Sequence, residues 1–538
     1  MLSSISGTPH INEIIEFFHH DLVIWAFKLV VFGFSFLLTY LLTYIRFVIQ
    51  TWSLQVSGIY PSPVPPYLVP GLGHTYSIIF NAERFLRPLH HVLSLSTPLS
   101  PILHVLPGEG VRSLFRAPKD LVPVRGTFDA LKVFFGLTPA DYHVFNNEYI
   151  SALEAKKGKQ YSTSHADASR PIMELQRNDF VTFLHGQNLR LVMDGFSFNL
   201  GQLFRSHDSH VSPSEPVNLP DLYVFLPDSI FRAEIEALYG KHIFTALPVI
   251  SRGSPRWLYP AQYQSRDKVL HNLGKWRRYP YKEDEELGNA VSNPIWGTHY
   301  MKNMVRRYED LELSNAGIPS VLHGFLFVTT ANSIPAATWM ALHILLDKPL
   351  VSRLRQELLK ESEAKNAPID YTALLLAPLL NPVYRETLRL NESVWNTARQ
   401  INGRTEYPVE SFWAERFLEY TDDPRSGPLR KPPSTYANTI GTSPVKPFRD
   451  DSKARLPDPA ALRGHFFPFG GGAWRCPGEI LAKKTILVTA FLLPKELDVY
   501  IFDPMDAAKA SSQHRMIPFG THAFDRKVPI RCWKRSQV

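Results

Sequence analysis

A mainly α-helical domain with small β-sheets, carried behind one membrane-spanning helix, is the architecture the sequence predicts. Three observations predict it. An apolar run near the N-terminus has the length of a bilayer crossing, apolar residues recur at helical spacing through most of the remaining chain, and strand-like alternation is confined to short pieces near the C-terminus.

Residues Leu22 to Ile45, LVIWAFKLVVFGFSFLLTYLLTYI, give 24 positions with Lys28 as the only charge, enough to span about 36 Å as a helix. Lys28 lies near the N-terminal end, where its stem can snorkel to the interface. A cleaved signal peptide is the alternative, disfavoured because the run is overlong and shows no small-residue cleavage site. Glu13, Glu16 and Asp21 precede the run without any Lys or Arg, and Arg46 follows it directly. The positive-inside rule then leaves residues 1–21 in the lumen and the C-terminal bulk in the cytosol. After the anchor (22–45), residues 46–74 read as a linker, because Tyr60 to His74, YPSPVPPYLVPGLGH, holds five prolines that fix φ and remove donors. Residues 75–538 form the expected globular domain.

Within that domain, helical periodicity is clearest in Pro319 to Leu346, Ser352 to Lys360 and Tyr371 to Leu390. Alternation marks Leu497 to Phe502 and Lys527 to Trp533 as strands. Glu419 to Gly464 is rich in Pro, Ser, Asp and Arg and reads as a long irregular loop, and no internal repeat is present. The 538 residues hold 44% hydrophobic side chains and two cysteines, Cys476 and Cys532, too few for a disulfide framework. A net charge of +8 and a pI near 9.2 point to anionic lipid, an acidic protein or nucleic acid. The sequence has no nucleic-acid motif and no dense Lys/Arg run, which favours the first two.

The stretch with most chemistry is FFPFGGGAWRCPGEILAKK, Phe466 to Lys484, where three glycines precede a lone cysteine and Pro-Gly leads into an apolar helix. Glycines permit close backbone approach to a flat group, backbone N–H groups near a sulfur tune it, and a helix from about Glu479 turns its positive end toward an anionic sulfur. The stretch resembles the haem-binding signature of the cytochrome P450 superfamily, with Phe469 seven residues before Cys476, Gly472 four before and Gly478 two after. The resemblance implies haem b between a long central helix and the cysteine loop, with Cys476 as axial thiolate ligand and Phe469, Gly472, Arg475 and Gly478 around it. One departure is Trp474, where the family usually has an Arg for a haem propionate; here Arg475 stands next to the cysteine.

Upstream, NPVYRETLRL places Glu386 and Arg389 at i and i+3, and FWAERFL supplies Arg416. An isolated E-x-x-R is a surface pair of little worth, but in this order it resembles the family's buried Glu-Arg-Arg arrangement, a structural lock beneath the haem. GFLFVTTANSIPAATWMALHILL, Gly324 to Leu346, takes the place of the family's central helix. Its Asn332 and Pro335 resemble the sterol-7α-hydroxylase and prostacyclin-synthase branch. Asn332, with Ser333 or a bound water as relay, is the candidate for the oxygen side, Thr329 and Thr330 being alternatives. His185 and Arg190 read as surface groups, and Cys532 as a small apolar filler.

Between Arg399 and Phe412 stands only QINGRTEYPVES, an interval some tens of residues shorter than is usual in the family. The resemblance implies a membrane-bound haem-thiolate monooxygenase, single-pass in the endoplasmic reticulum with its catalytic domain facing the cytosol. Its substrate would be small and apolar, such as a sterol or terpenoid, and its electrons would come from NADPH-cytochrome P450 reductase. Two alternatives stand beside it: a haem-thiolate isomerase or dehydratase needing no reductant, and a haem protein impaired by the short interval.

Overall fold

A computed structural model describes residues 9–57, 63–75, 77, 93–95, 103–105, 131–132, 134–145, 180–181, 183–205, 215–240, 260–278, 292–293, 297–361, 369–391, 411–420, 426–428, 454–457, 462, 466–472, 475–512 and 520–535. The chain divides into two units, Met1–Leu114 with His514–Pro518, and Phe115–Gln513 with Phe519–Val538.

In the first unit, α1 runs from Pro9 to Ser57 as one helix of 49 residues, about 73 Å long at 1.5 Å per residue. Trp25–Ser53 is long and apolar enough to cross a membrane. Residues 46–57, expected to begin the linker, instead prolong α1, since no proline or glycine interrupts them before Gly58. The proline-rich segment then folds back along the helix. Tyr67 N–H donates to Thr43 Oγ1 at 3.2 Å and Val64 N–H to Gln50 Oε1 at 3.0 Å, so two polar side chains of the helix supply acceptors to a strand-like segment. A tight turn bridges Val69 to Gly73, with Gly71 at φ 76° and Gly73 at φ 56°, values that L side chains rarely adopt. β1 (Leu93–Leu95) and β2 (Leu103–Val105) pair antiparallel.

The second unit is helical around one large core. Its described helices of twelve residues or more are α2 (Gly186–Arg205), α3 (Leu222–Tyr239), α4 (Pro260–Arg277), α5 (His299–Asp310), α6 (Gly317–Thr330), α7 (Ser333–Leu346), α8 (Lys348–Glu361), α10 (Leu380–Asn391) and α11 (Glu479–Glu496), with the short α9 (Tyr371–Leu376) between α8 and α10. A three-stranded antiparallel sheet closes the described chain, in the order β3 (Val217–Leu219), β5 (Ile530–Lys534), β4 (Leu497–Ile501), with Cys532 paired to Val217 on one side and Val499 on the other. Cys532 is fully buried in the main core, where burial raises its thiol to about 11, consistent with an inert filler.

The 319–346 stretch, expected as one helix, is α6 and α7 with a break at Ala331–Asn332. Pro335 causes it by removing the N–H that would reach the carbonyl of Ala331, and the ladder resumes with Ala336 N–H to Asn332 O at 3.1 Å. The start of α6 is fixed by Asp141, a fully buried carboxylate on the 3₁₀ helix Pro139–Phe145. It accepts from Ser314 N–H at 2.7 Å, from Ser314 Oγ at 2.9 Å and from Thr138 Oγ1. A Cβ on Gly317 would overlap this carboxylate. The 20-residue apolar reading of Tyr371 to Leu390 likewise resolves into α9 and α10.

Candidate active site

Three parts of the second unit carry the predicted site residues. The first is the cysteine loop. Cys476 N–H donates to Phe469 O at 2.9 Å, closing the loop on itself. Gly470 at φ 70° and Gly472 at φ 61° make the turn between them, a conformation open to glycine without steric cost. Phe469 packs against the main core and so ties the loop to it. Cys476 is exposed, neither cysteine forms a disulfide, and Gly478 is the N-cap of the largely buried α11. A sulfur at that place meets the positive end of an 18-residue helix. Arg475 turns outward, its guanidinium bidentate on Glu479, the first residue of α11, at 2.5 and 2.7 Å. Nearby on the same helix, burial and the adjacent Arg385 guanidinium lower Lys483 to about 8.

The second part is the ion network. Glu386 Oε2 accepts from Arg389 Nε at 2.7 Å; its Oε1 accepts from Arg389 Nη2 at 2.9 Å, Arg416 Nε at 2.9 Å and Trp413 N–H at 3.1 Å. Both arginines also donate to Ser411 O. All three charged side chains are buried, so the network joins α10 to the 411–418 segment rather than lying in solvent.

The third part is the break in the central helix. Its flanks are buried, yet Val328 is 57% exposed and Phe327, Ala331, Asn332 and Pro335 are half-buried. These positions recur three to four residues apart and form one uncovered stripe on a helix otherwise inside the core. The hydroxyls do not face that opening. Ser333, expected as relay, is buried and donates to Thr329 O at 2.7 Å, while Thr329 and Thr330 donate to carbonyls three or four residues back. Such back-bonding is the usual fate of helical alcohols. Asn332 is placed differently: its Oδ1 accepts Thr521 N–H at 3.2 Å.

An exposed cysteine sulfur in a glycine-bearing loop at a helix start, and an uncovered apolar stripe on a core helix, suit a flat, apolar, iron-bearing macrocycle. His185 is exposed, and Arg190 lies 3.9 Å from Asp194 on the outer face of α2. Residues 400–410 of the interval after Arg399, and Trp474, lie outside the described residues. Thr521, Gly520 and Trp339 escaped the sequence reading, since their link to the helix break depends on a contact across 189 residues of chain.

No family model matches the chain. The cytochrome P450 monooxygenase fsoE of Humicola fuscoatra is 26% identical over 418 residues, covering 66% of this chain and 69% of the relative. The cytochrome P450 monooxygenase efuG of Hormonema carpetanum is 24% identical over 547 residues, covering 88% of this chain and 90% of the relative. A solved structure, retinoic acid bound cyanobacterial CYP120A1, matches with a TM-score of 0.53 at 14% identity over 88% of this chain and all of its own, a likeness of fold. The chain is similar to cytochrome P450 monooxygenases over most of its length, and its fold is that of a cytochrome P450. It is an oxidoreductase of the monooxygenase type, and the superfamily implies a haem cofactor.

Proposed function

We propose that the protein is a membrane-bound haem-thiolate monooxygenase that oxidises, by hydroxylation, a small apolar substrate of sterol or terpenoid size. The observation that carries the reading is the exposed Cys476 sulfur at the start of α11, held by its N–H to Phe469 O in a turn shaped by Gly470 and Gly472. Haem b, ligated there, would supply dioxygen activation, with the thiolate donating electron density that favours O–O cleavage.

The chain's own residues do the rest. Phe469, Gly472 and Gly478 shape the loop around the sulfur, and the Glu386–Arg389–Arg416 network holds the framework behind it. The uncovered stripe Phe327–Val328–Ala331 offers apolar surface to a substrate. Asn332 presents Nδ2 as a hydrogen-bond donor at that stripe, because its Oδ1 is already taken by Thr521. A proton route through Ser333 needs a water, since its own hydrogen lies on Thr329 O. Around the loop, Arg385, Arg475, Lys483 and Lys484 supply cations for an acidic redox partner, for which we propose NADPH-cytochrome P450 reductase. α1 anchors the protein, by this reading once through the endoplasmic reticulum membrane with residues 75–538 as the cytosolic catalytic domain.

The test is the full chain loaded with haem. Wild type should give a reduced-CO band near ~450 nm and NADPH-dependent product, and Cys476→Ser should lose both. Turnover of a peroxide without NADPH would replace oxidation by isomerase chemistry, and a ~450 nm band in Cys476→Ser would remove the ligand assignment.

A further inference from the structure

The break in the central helix holds another segment in place. Thr521 N–H donates to Asn332 Oδ1 at 3.2 Å, and one residue on, His522 O accepts Trp339 Nε1–H at 2.8 Å. Asn332 and Trp339 are seven residues apart, two helical turns, and so lie on one side of the helix. Consecutive backbone groups of the 520–522 turn are therefore gripped by side chains two turns apart on one side of the helix. Phe524 sets its ring edge-on against Trp339 at 4.4 Å and beside Tyr223 at 4.9 Å, which fixes the far end of the segment. Gly520 has φ 75°, and a Cβ there would run into the Asn332 carboxamide. The turn and the amide are thus fitted to each other, and the fit exists only because position 520 has no side chain.

Asn332 also belongs to the uncovered stripe of the helix, next to Ala331 and one turn from Val328. We propose that Asn332 is a positioning residue: it latches the 520–522 turn to the helix break, so that this turn is a wall of the substrate cavity and sets the size of molecule admitted there. The identity of the cavity rests on the monooxygenase reading; the latch itself does not. An amide suits this task because it accepts from a backbone N–H without titrating, and it holds the turn at every working pH. The break supplies the freedom, since the carbonyl of Ala331 has lost its helical donor to Pro335 and Asn332 can lean out of the regular spiral.

The experiment compares Asn332→Ala, Asn332→Asp, Gly520→Ala and the double variant Asn332→Ala/Gly520→Ala in the full-length, haem-loaded protein. Two probes are titrated by difference spectroscopy: imidazole, small enough to ignore the walls, and 4-phenylimidazole, which must fit them. One backbone hydrogen bond is worth about 0.5–1.5 kcal/mol, so Asn332→Ala should weaken 4-phenylimidazole about two- to thirteen-fold. Imidazole should move less than about two-fold. Asn332→Asp keeps an acceptor for Thr521 and should stay close to wild type. Gly520→Ala should be the most damaged variant, and adding Asn332→Ala to it should recover part of the loss, since the smaller side chain makes room for the new methyl group. Additive losses, equal shifts for both probes, or an Asn332→Asp as impaired as Asn332→Ala would each overturn the latch. Thermal melting of the same four variants reads the coupling of positions 332 and 520 without haem: recovery there, in a protein with no ~450 nm band, keeps the latch and sinks the monooxygenase reading. Additive melting losses overturn the latch even if Gly520→Ala takes up no haem.

Discussion

Removing Glu386 strands two buried cations at once, which makes it the most informative single change in the fold. Its carboxylate takes four hydrogen bonds, two from Arg389, one from Arg416 and one from Trp413 N–H. Glu386→Ala leaves two guanidiniums near each other in the interior and one amide without its acceptor. Breaking a buried pair from one side costs about 3–5 kcal/mol, and the second cation places this case at the upper end. Arg389→Ala leaves Glu386 matched by Arg416 and Trp413 N–H, for a loss of roughly 3 kcal/mol in two charge-assisted bonds. Arg416→Ala removes one such bond and should cost about 1.5–3 kcal/mol. The order of damage is therefore Glu386→Ala, Arg389→Ala, Arg416→Ala. A cofactor-bearing chain does not unfold in two states, so the assay is haem content after expression together with the half-life of haem loss in urea. A full 4 kcal/mol corresponds to roughly a thousand-fold in an equilibrium constant, enough to leave Glu386→Ala without haem. Arg416→Ala as damaged as Glu386→Ala, or Glu386→Ala with wild-type haem content, would refute the charge argument.

Deleting residues 1–57, the whole of α1, should release the protein from the carbonate-resistant membrane fraction, and continued pelleting with that fraction would show a second integral segment. Asp141→Ala removes the acceptor of two Ser314 bonds and one Thr138 bond at the start of α6, a loss of about 2–3 kcal/mol that should shorten the half-life of haem loss in urea; Asp141→Asn should recover part of this. Glu234 is buried without a hydrogen-bond partner for either oxygen, and burial raises it to about 8. The folded state then holds a proton that the unfolded state releases above about pH 4.3, so the stability tied to this group is complete at lower pH and drains away as pH rises toward 8. Glu234→Gln should flatten the decline between pH 5 and 8 and raise stability at pH 7 by roughly 3 kcal/mol; an unchanged slope would show that Glu234 does not titrate in that range.

The parts of the fold readable in the sequence are those where local chemistry decides. An apolar run of that length with one lysine forms a continuous helix, and α1 outruns the expected anchor at both ends, from Pro9 to Ser57. Leu497 to Ile501 and Ile530 to Lys534 form strands in the places the alternation marked. The proline-rich segment was harder, because a stiff spacer and a clasp along a helix use the same prolines; the acceptors on Thr43 and Gln50 decide between them, and nothing near residue 64 signals those partners. Pro335 announces an interruption of the central helix, but only the packed structure shows that the stretch divides there into α6 and α7.

The site divides along the same line. Cys476 with its glycines is legible because the loop is contiguous, whereas the roles of the polar groups on the central helix depend on directions that sequence does not carry. Thr329, Thr330 and Ser333 look equivalent as candidate proton donors, yet each has its hydrogen on a backbone carbonyl of the preceding turn. Asn332, which the sequence puts first among these candidates, differs from the hydroxyls in kind, since its oxygen reaches out of the helix to Thr521. An amide can orient a ligand or a turn but cannot release a proton near neutral pH. By the proposed reading, protons reach this stripe through solvent and Asn332 acts through geometry: the same substitution that loosens the 520–522 turn leaves the number of titratable groups at the break unchanged.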